Sequence, residues 1–197
     1  MKKILSLAEY KKLQRIDPIV VEWENWLREF VGIPNKAIDR VGAVCPCVPK
    51  ALRDEKVYVV VIDDLEIFTK NTLENLVVDY SLWFKKNTEH LPYEQKAITS
   101  ISLLFPEKIV SKMELSIIEL HTLLKPQLMP KGIMIGEFKP SYSKSSVRNK
   151  EFHPLSSPVH ALVIRHISHH DKKFVLNDER LSEQEKKICL KSVENFT

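Results

Sequence analysis

Six consecutive residues, Val57-Tyr58-Val59-Val60-Val61-Ile62, are all β-branched or aromatic and carry no charge. A strand without polar alternation has no face to offer water, so the run from Lys56 to Ile62 reads as a strand covered on both sides. Asp63-Asp64 ends it. The rest of the chain has to supply neighbouring strands and the helices that cover them.

Helical periodicity is found on either side of that strand. Ser6-Leu7-Ala8-Glu9 has the form of a capping box and predicts a short helix over Leu7–Gln14. Asp17-Pro18 restarts helix, because Asp caps well and Pro is tolerated at the first helical position. Ile19, Trp23, Trp26, Leu27, Phe30 and Val31 then recur at helical spacing until Gly32 and Pro34 stop them. From there to Pro49 the sequence reads as loop, punctuated by Asn35, Gly42, Pro46 and Pro49. Thr72–Lys86 returns to helical period, with Leu73, Leu76, Val77, Tyr80 and Phe84 on one side. Ala97–Phe105 reads as a second strand, and Glu107–Lys125 as an amphipathic helix ending before Pro126.

Ile133–Phe138 and Val159–Ile167 read as the third and fourth strands, joined by a polar run over Lys139–Ser157. That connection is longer than most in compact domains, which predicts a functional or mobile segment with few anchors. Ser182 and Glu185 form a second capping box ahead of a last helix over Leu181–Glu194. Because no crossover helix separates the last two strands, the order predicts an α+β fold with a mixed or mostly antiparallel sheet flanked by helices. One domain over 1–197 is expected, with helices in 1–32 and a C-terminal helix in 181–197; 197 residues are too few for two comfortable domains.

Composition removes several classes of function. A net charge of +4 is spread over 30 basic and 26 acidic residues with no long run of one sign, so no nucleic acid is expected as a partner. No apolar run approaches the ~18 residues of a membrane span, and Glu9 and Lys11-Lys12 interrupt the N-terminal apolar stretch before it reaches signal-peptide length. An odd count of three cysteines, two of them one residue apart, is no disulfide framework and points to the cytoplasm. Four glycines, at 32, 42, 132 and 136, leave no phosphate-cradling loop, and no G-x-S-x-G elbow is present.

What remains for chemistry is concentrated in two stretches. Cys45-Pro46-Cys47 lacks the spacer of a thioredoxin motif and has no second cysteine pair for a structural zinc site. A Cys-Pro dipeptide in a loop fixes the backbone of an exposed thiolate, a pattern that suits haem iron ligation; the competing reading is two cysteines packed in a proline-rich loop. Cys189, inside the last helix, reads as core. His153, His160, His166, His169 and His170 crowd the C-terminal third. On a strand over Val159–Ile167, His160 and His166 share one face with Leu162 and Ile164, while Arg165 shares the other with Ala161 and Val163. A guanidinium among apolar neighbours needs an anion: a ligand carboxylate or haem propionate, or else Asp171 or Asp178.

Three segments carry a resemblance: Val44–Leu52 around the Cys-Pro loop, Gly132–Pro140 with its G-x-F-x-P, and Ser157–His166 with its S-P-x-x-x-L-x-I-R-H. Together they resemble a family of uncharacterised bacterial domains sometimes found beside natural-product biosynthesis genes. Cys45-Pro46 followed by His153-Pro154-Leu155-Ser156 more distantly resembles the YqcI/YcgG family, which includes haem-dependent N-hydroxylases. That resemblance implies a haem-dependent oxidative enzyme, of monooxygenase or N-hydroxylase type, acting on a small amino-acid-like substrate. Cys45 would then be the metal ligand, Cys45 and Arg165 the cofactor-binding pair, and His153 and His166 the catalytic residues. Gly136, Phe138 and Ser157 would meet the substrate. The alternatives are a non-catalytic binding module for a small anionic metabolite, or an accessory protein that binds a partner through the basic loop Lys139–Lys150, with a homodimer left open.

Overall fold

The computed structural model describes residues 2–38, 40–64, 69–146 and 149–196. Positions 147 and 148 of the expected long loop lie outside the described residues. The apolar run becomes β2 (Val57–Val61) of a five-stranded sheet whose other members are β1 (Leu5–Ser6), β3 (Ser100–Phe105), β4 (Ile133–Phe138) and β5 (His160–His166). Their spatial order is β1-β2-β3-β5-β4. β2 and β3 pair in parallel, whereas β5 pairs antiparallel with both β3 and β4 and β1 antiparallel with β2. The expected mixed sheet of an α+β domain is therefore observed.

The parallel connections need crossovers. Helix α4 (Lys70–Thr88) follows β2 and helix α6 (Glu107–Leu128) follows β3, and both cover one face. There Leu73, Val77, Tyr80 and Phe84 of α4 meet Ile117, Leu120 and Leu124 of α6 over Val60, Ile101, Leu103, Ile135 and Leu162. Helix α1 (Leu7–Tyr10), α2 (Pro18–Trp26) with its π-helical continuation Leu27–Val31, and α3 (Val48–Arg53) cover the other face, with Trp23 against Val59, Leu104 and Ala161. The buried indole of Trp23 donates to Ser102 Oγ at 3.1 Å, which accounts for a serine inside an apolar strand. Helices α5 (Tyr93–Ile98), α7 (Asp171–Leu176) and α8 (Glu183–Phe196) complete the set, and Cys189, Val193, Val175 and Met134 form a third cluster beside α7 and α8.

Several expected boundaries move for identifiable reasons. The strand expected from Ala97 starts only at Ser100, because Pro92 opens α5 and the Thr99 hydroxyl closes it on Gln95 O at 2.6 Å. Pro49 does not punctuate a loop; it sits in the first turn of α3. Helix α6 runs past Pro126 to Leu128 and continues as a 3-10 turn over Met129–Lys131 until Gly132, at φ 81, ends it. The first helix is shorter than Leu7–Gln14, although its capping box is present: Ser6 Oγ accepts from Glu9 N, and Glu9 Oε2 from Ser6 N.

The described residues of the connection 139–157 are anchored repeatedly, against the expectation of few anchors. Tyr142 Oη donates to Glu137 Oε2 at 3.0 Å, and Lys144 Nζ lies 4.0 Å from Asp178 Oδ2. Asn149 Nδ2 donates to Ala37 O at 2.9 Å, and the buried Phe152 packs on Phe30 with ring centroids 5.8 Å apart. The segment forms a strap from the β4 edge to the end of the α2 π-turn.

Candidate functional site around Cys45

The backbone that presents Cys45 is fixed at both ends. Gly32 terminates the π-turn with its N–H on Leu27 O at 2.7 Å, and a Cβ at this position would stand 2.8 Å from that same oxygen, so a larger residue does not fit. The chain then turns back on itself. Val44 N donates to Ile33 O at 3.0 Å and Cys45 N to Val31 O at 2.9 Å. Gly42 makes the reversal at φ 100, and Arg40 ties it by donating to Ala43 O and Val44 O at 2.7 and 2.8 Å. Beyond Cys45 the next turn closes with Val48 N on Cys45 O at 3.2 Å and leads into α3.

This places the half-buried Cys45 sulfur at the opening turn of α3, beside the exposed Cys47. The Cys47 thiol hydrogen-bonded to it is the largest influence on Cys45 and favours its thiolate. Burial opposes this, while the N–H groups of Cys47 and Val48 and the charge of Arg165 reinforce it, and the net effect holds the Cys45 pKa well below that of an ordinary thiol. Cys47 is pushed the other way by donating to Cys45 and by burial. Of the two sulfurs, Cys45 is the one whose thiolate is favoured.

Arg165 reaches this region from β5, and its own counter-charge is Asp171 in the first turn of α7. Nη1 donates to Asp171 Oδ2 at 2.9 Å and Nη2 to Oδ1, in a two-pronged pair, and Nη1 also donates to His166 O at 2.9 Å. Asp171 is fully buried and takes a further bond from Ser168 N at 2.8 Å. Of the two carboxylates that the sequence offers Arg165, the fold selects Asp171.

The other residues expected in the site are distributed over the domain. Gly136 and Phe138 lie on the Cys45 face of the sheet, and Phe138 is held edge-on by Trp23 and Trp26 at 5.7 and 5.6 Å. Ser157 is buried and donates to Val159 O at 2.6 Å, closing the turn into β5. His153 lies half-buried in the strap, and its buried Nδ1 has no hydrogen-bond partner among the described residues. His166 points to the opposite face from Arg165, as the alternation of β5 requires. There its Nε2 lies 2.7 Å from Thr88 Oγ1 and its ring packs on Phe84. The fold thus brings Cys45, Cys47 and Arg165 together and puts the sheet between them and His166. Two hollows of about 280 and 190 Å³ open near α1 and α2; neither is lined by Cys45.

A second polar cluster, unforeseen from the sequence, occupies the outer edge of β4. Lys125 Nζ donates to Asp178 Oδ2 at 2.8 Å with both side chains buried. Arg180 bridges Asp178 Oδ1 at 3.1 Å, Glu137 Oε2 at 3.0 Å and His121 Nδ1 at 3.0 Å. Since a guanidinium only donates, His121 Nδ1 accepts, so Nε2 carries the proton and donates to Ile135 O at 3.2 Å. Burial and the neighbouring cations keep that imidazole neutral. The signal was a charge at an inward position: Glu137 follows Ile133 and Ile135 on one strand face, and Lys125 follows Leu124 on the helix. No helix among the described residues is long and apolar enough to cross a membrane.

A family model described as "Domain of unknown function (DUF6875)" matches residues 20–194. Neither the curated proteins nor the solved structures contain a match.

Proposed function

The chain belongs to the DUF6875 family, and we propose that it is a haem-dependent oxidative enzyme, of monooxygenase or N-hydroxylase type, acting on a small amino-acid-like substrate, in which the Cys45 thiolate would hold the haem. One observation carries this reading: the half-buried Cys45 sulfur stands at the opening turn of α3, where the Cys47 thiol first, then the N–H groups of Cys47 and Val48 and the charge of Arg165, favour its thiolate against burial. The donor set fits this group better than a bare ion. Among the described residues no three His, Cys, Asp or Glu side chains gather to hold a metal, whereas Cys45 alone would suffice to hold a haem, whose macrocycle supplies the other donors. When bound, a thiolate-ligated haem supplies the electron-rich iron that cleaves O–O bonds.

The residues of this chain supply the setting. The Cys47 thiol above all, and beside it the N–H groups of Cys47 and Val48, favour the charged sulfur and would tune its donation to a bound metal. Arg165, paired with Asp171, ties β5 to the first turn of α7 and is one of the smaller influences that lower the Cys45 pKa. The strap carrying His153 and Phe152 docks against the π-turn from which the Cys45 loop leaves, which supports a role in covering this end of the sheet. His166 stands on the far side of the sheet from Cys45, against Thr88 and Phe84. The resemblance of Cys45-Pro46 and His153-Pro154 to the YqcI/YcgG family supports the same reading. The alternative of an anion-binding module draws on Arg165, whose charge Asp171 already matches. Three unpaired cysteines favour work in a reducing compartment such as the cytoplasm.

The test is an absorption spectrum of purified protein titrated with haem. A Soret band of thiolate type is expected for the wild type and for Cys47→Ser, and its loss or displacement for Cys45→Ser with the far-UV circular dichroism unchanged. An identical spectrum for wild type and Cys45→Ser removes Cys45 as the ligand.

A further inference from the structure

We propose that the larger hollow beside α1 and α2 is a ligand site in its own right, for a small carboxylate that carries an apolar body. Its volume of about 280 Å³ lies at the small end of the range for ligand clefts, which suits a single ring or a short alkyl chain. The lining is apolar on one side: Leu7 and Val20 are buried, and Tyr10 and Ile16 stand beside them half-buried. On the other side it is cationic. The buried Glu24 takes Lys11 Nζ at 2.7 Å and Arg28 Nε at 2.6 Å, both on Oε1.

This arrangement leaves a positive charge unmatched. Burial works against the Glu24 charge, but the bonds from Lys11 and Arg28 outweigh it, so one carboxylate faces two cations. Arg28 is bonded through Nε alone, its two Nη groups have no partner among the described residues, and its side chain is 48% exposed. A planar fork with two free donors is matched to a carboxylate. Position completes the argument. Leu7, Lys11, Glu24 and Arg28 line both this hollow and the neighbouring one of about 190 Å³, so the cations stand where the head of a ligand would emerge once its body lay on Leu7 and Val20. Arg53 and Glu55, farther along the second hollow, carry opposite charges and leave the surplus in place.

Full-length isotope-labelled protein is titrated at neutral pH with phenylacetate and with hexanoate, and backbone amide shifts are followed by NMR. No haem is added and Cys45 lines neither hollow, so the outcome is independent of the function proposed above. Saturating shifts are expected in 7–11 and 20–28. Phenylacetamide, which keeps the ring without the charge, and acetate, which keeps the charge without a body, should each bind about tenfold more weakly or worse. Arg28→Gln, at an exposed position, should weaken phenylacetate about fivefold with the far-UV circular dichroism unchanged. Glu24→Gln removes the only negative charge of the trio and should bind phenylacetate at least as tightly as the wild type, an outcome that damage to the fold would not produce. The proposal is overturned if neither carboxylate gives saturating shifts in these helices, if phenylacetate and phenylacetamide bind alike, or if Arg28→Gln leaves the affinity unchanged.

Discussion

Replacing Arg165 by leucine isolates one buried carboxylate and lets its cost be read directly. In the wild type Asp171 is fully buried and receives two bonds from Arg165 and one from Ser168 N. Breaking a buried pair from one side costs about 3–5 kcal/mol. The Arg165 side chain keeps 30% of its surface exposed, and Ser168 N stays on the carboxylate, so water and one donor offset part of that loss and about 2–3 kcal/mol is expected at pH 7. For a chain of this size each kcal/mol moves the melting temperature by about 2–4 °C, so the mutant should melt about 4–12 °C lower. The pH dependence supplies a second check. Burial raises the Asp171 pKa, but the charge and hydrogen bonds of Arg165 outweigh it and the net shift is downward, so in the wild type this group's stabilisation is present above its unfolded value, near 4, and is lost as pH falls. Without Arg165, burial dominates and the shift reverses, so the mutant is penalised as pH rises above that value. The gap between the two melting curves, followed by calorimetry from pH 7 down to 4, should therefore narrow. Equal stability at pH 7, or a gap that widens in acid, refutes the assignment of Asp171 as the partner of Arg165.

Asp178→Asn should cost about 3 kcal/mol or more in a thermal melt, because Lys125, itself buried, has no other ion pair among the described residues. His166, pushed down to about 4 by burial and by Lys96 and Lys85, should show an NMR titration midpoint well below that of a free histidine. Since the unfolded chain protonates first, near pH 6.5, the stability His166 contributes is complete above that pH and lost as pH falls from there towards 4; a His166→Gln variant should lose less over this window.

The apolar runs at Val57–Ile62 and Ile133–Phe138 and the periodicity of Thr72–Lys86 were sufficient to locate strands and helices, since burial on both faces leaves few alternatives. The alternation through His160–His166 likewise gave the side of the sheet on which each residue stands. What escaped was set by other forces. The short helices Val48–Arg53 and Asp171–Leu176 have too few residues for a period to show, and they form because tertiary contacts hold them. Cys45 and Arg165 could be singled out one at a time, but their proximity depends on how the Cys loop folds back onto Val31, which no local pattern encodes. The cluster of Lys125, Glu137, Asp178 and Arg180 joins residues from three segments, and only the inward placement of two charges hinted at it.

The strap over the β4 edge also bears on the order in which the chain assembles. The bond from Asn149 to Ala37 O spans 112 positions, and closing a loop of that length in an unstructured chain costs about 4 kcal/mol in entropy. Once β4 and β5 are paired, with Phe138 opposite Ala161, the strap needs to close only the short span between them. Docking of Phe152 on Phe30 should then come late in folding and be the first contact to reverse. Amide protons of 149–156 should accordingly exchange through a sub-global opening that leaves the strands protected, uncovering Phe30 and the end of the π-turn while the domain stays folded.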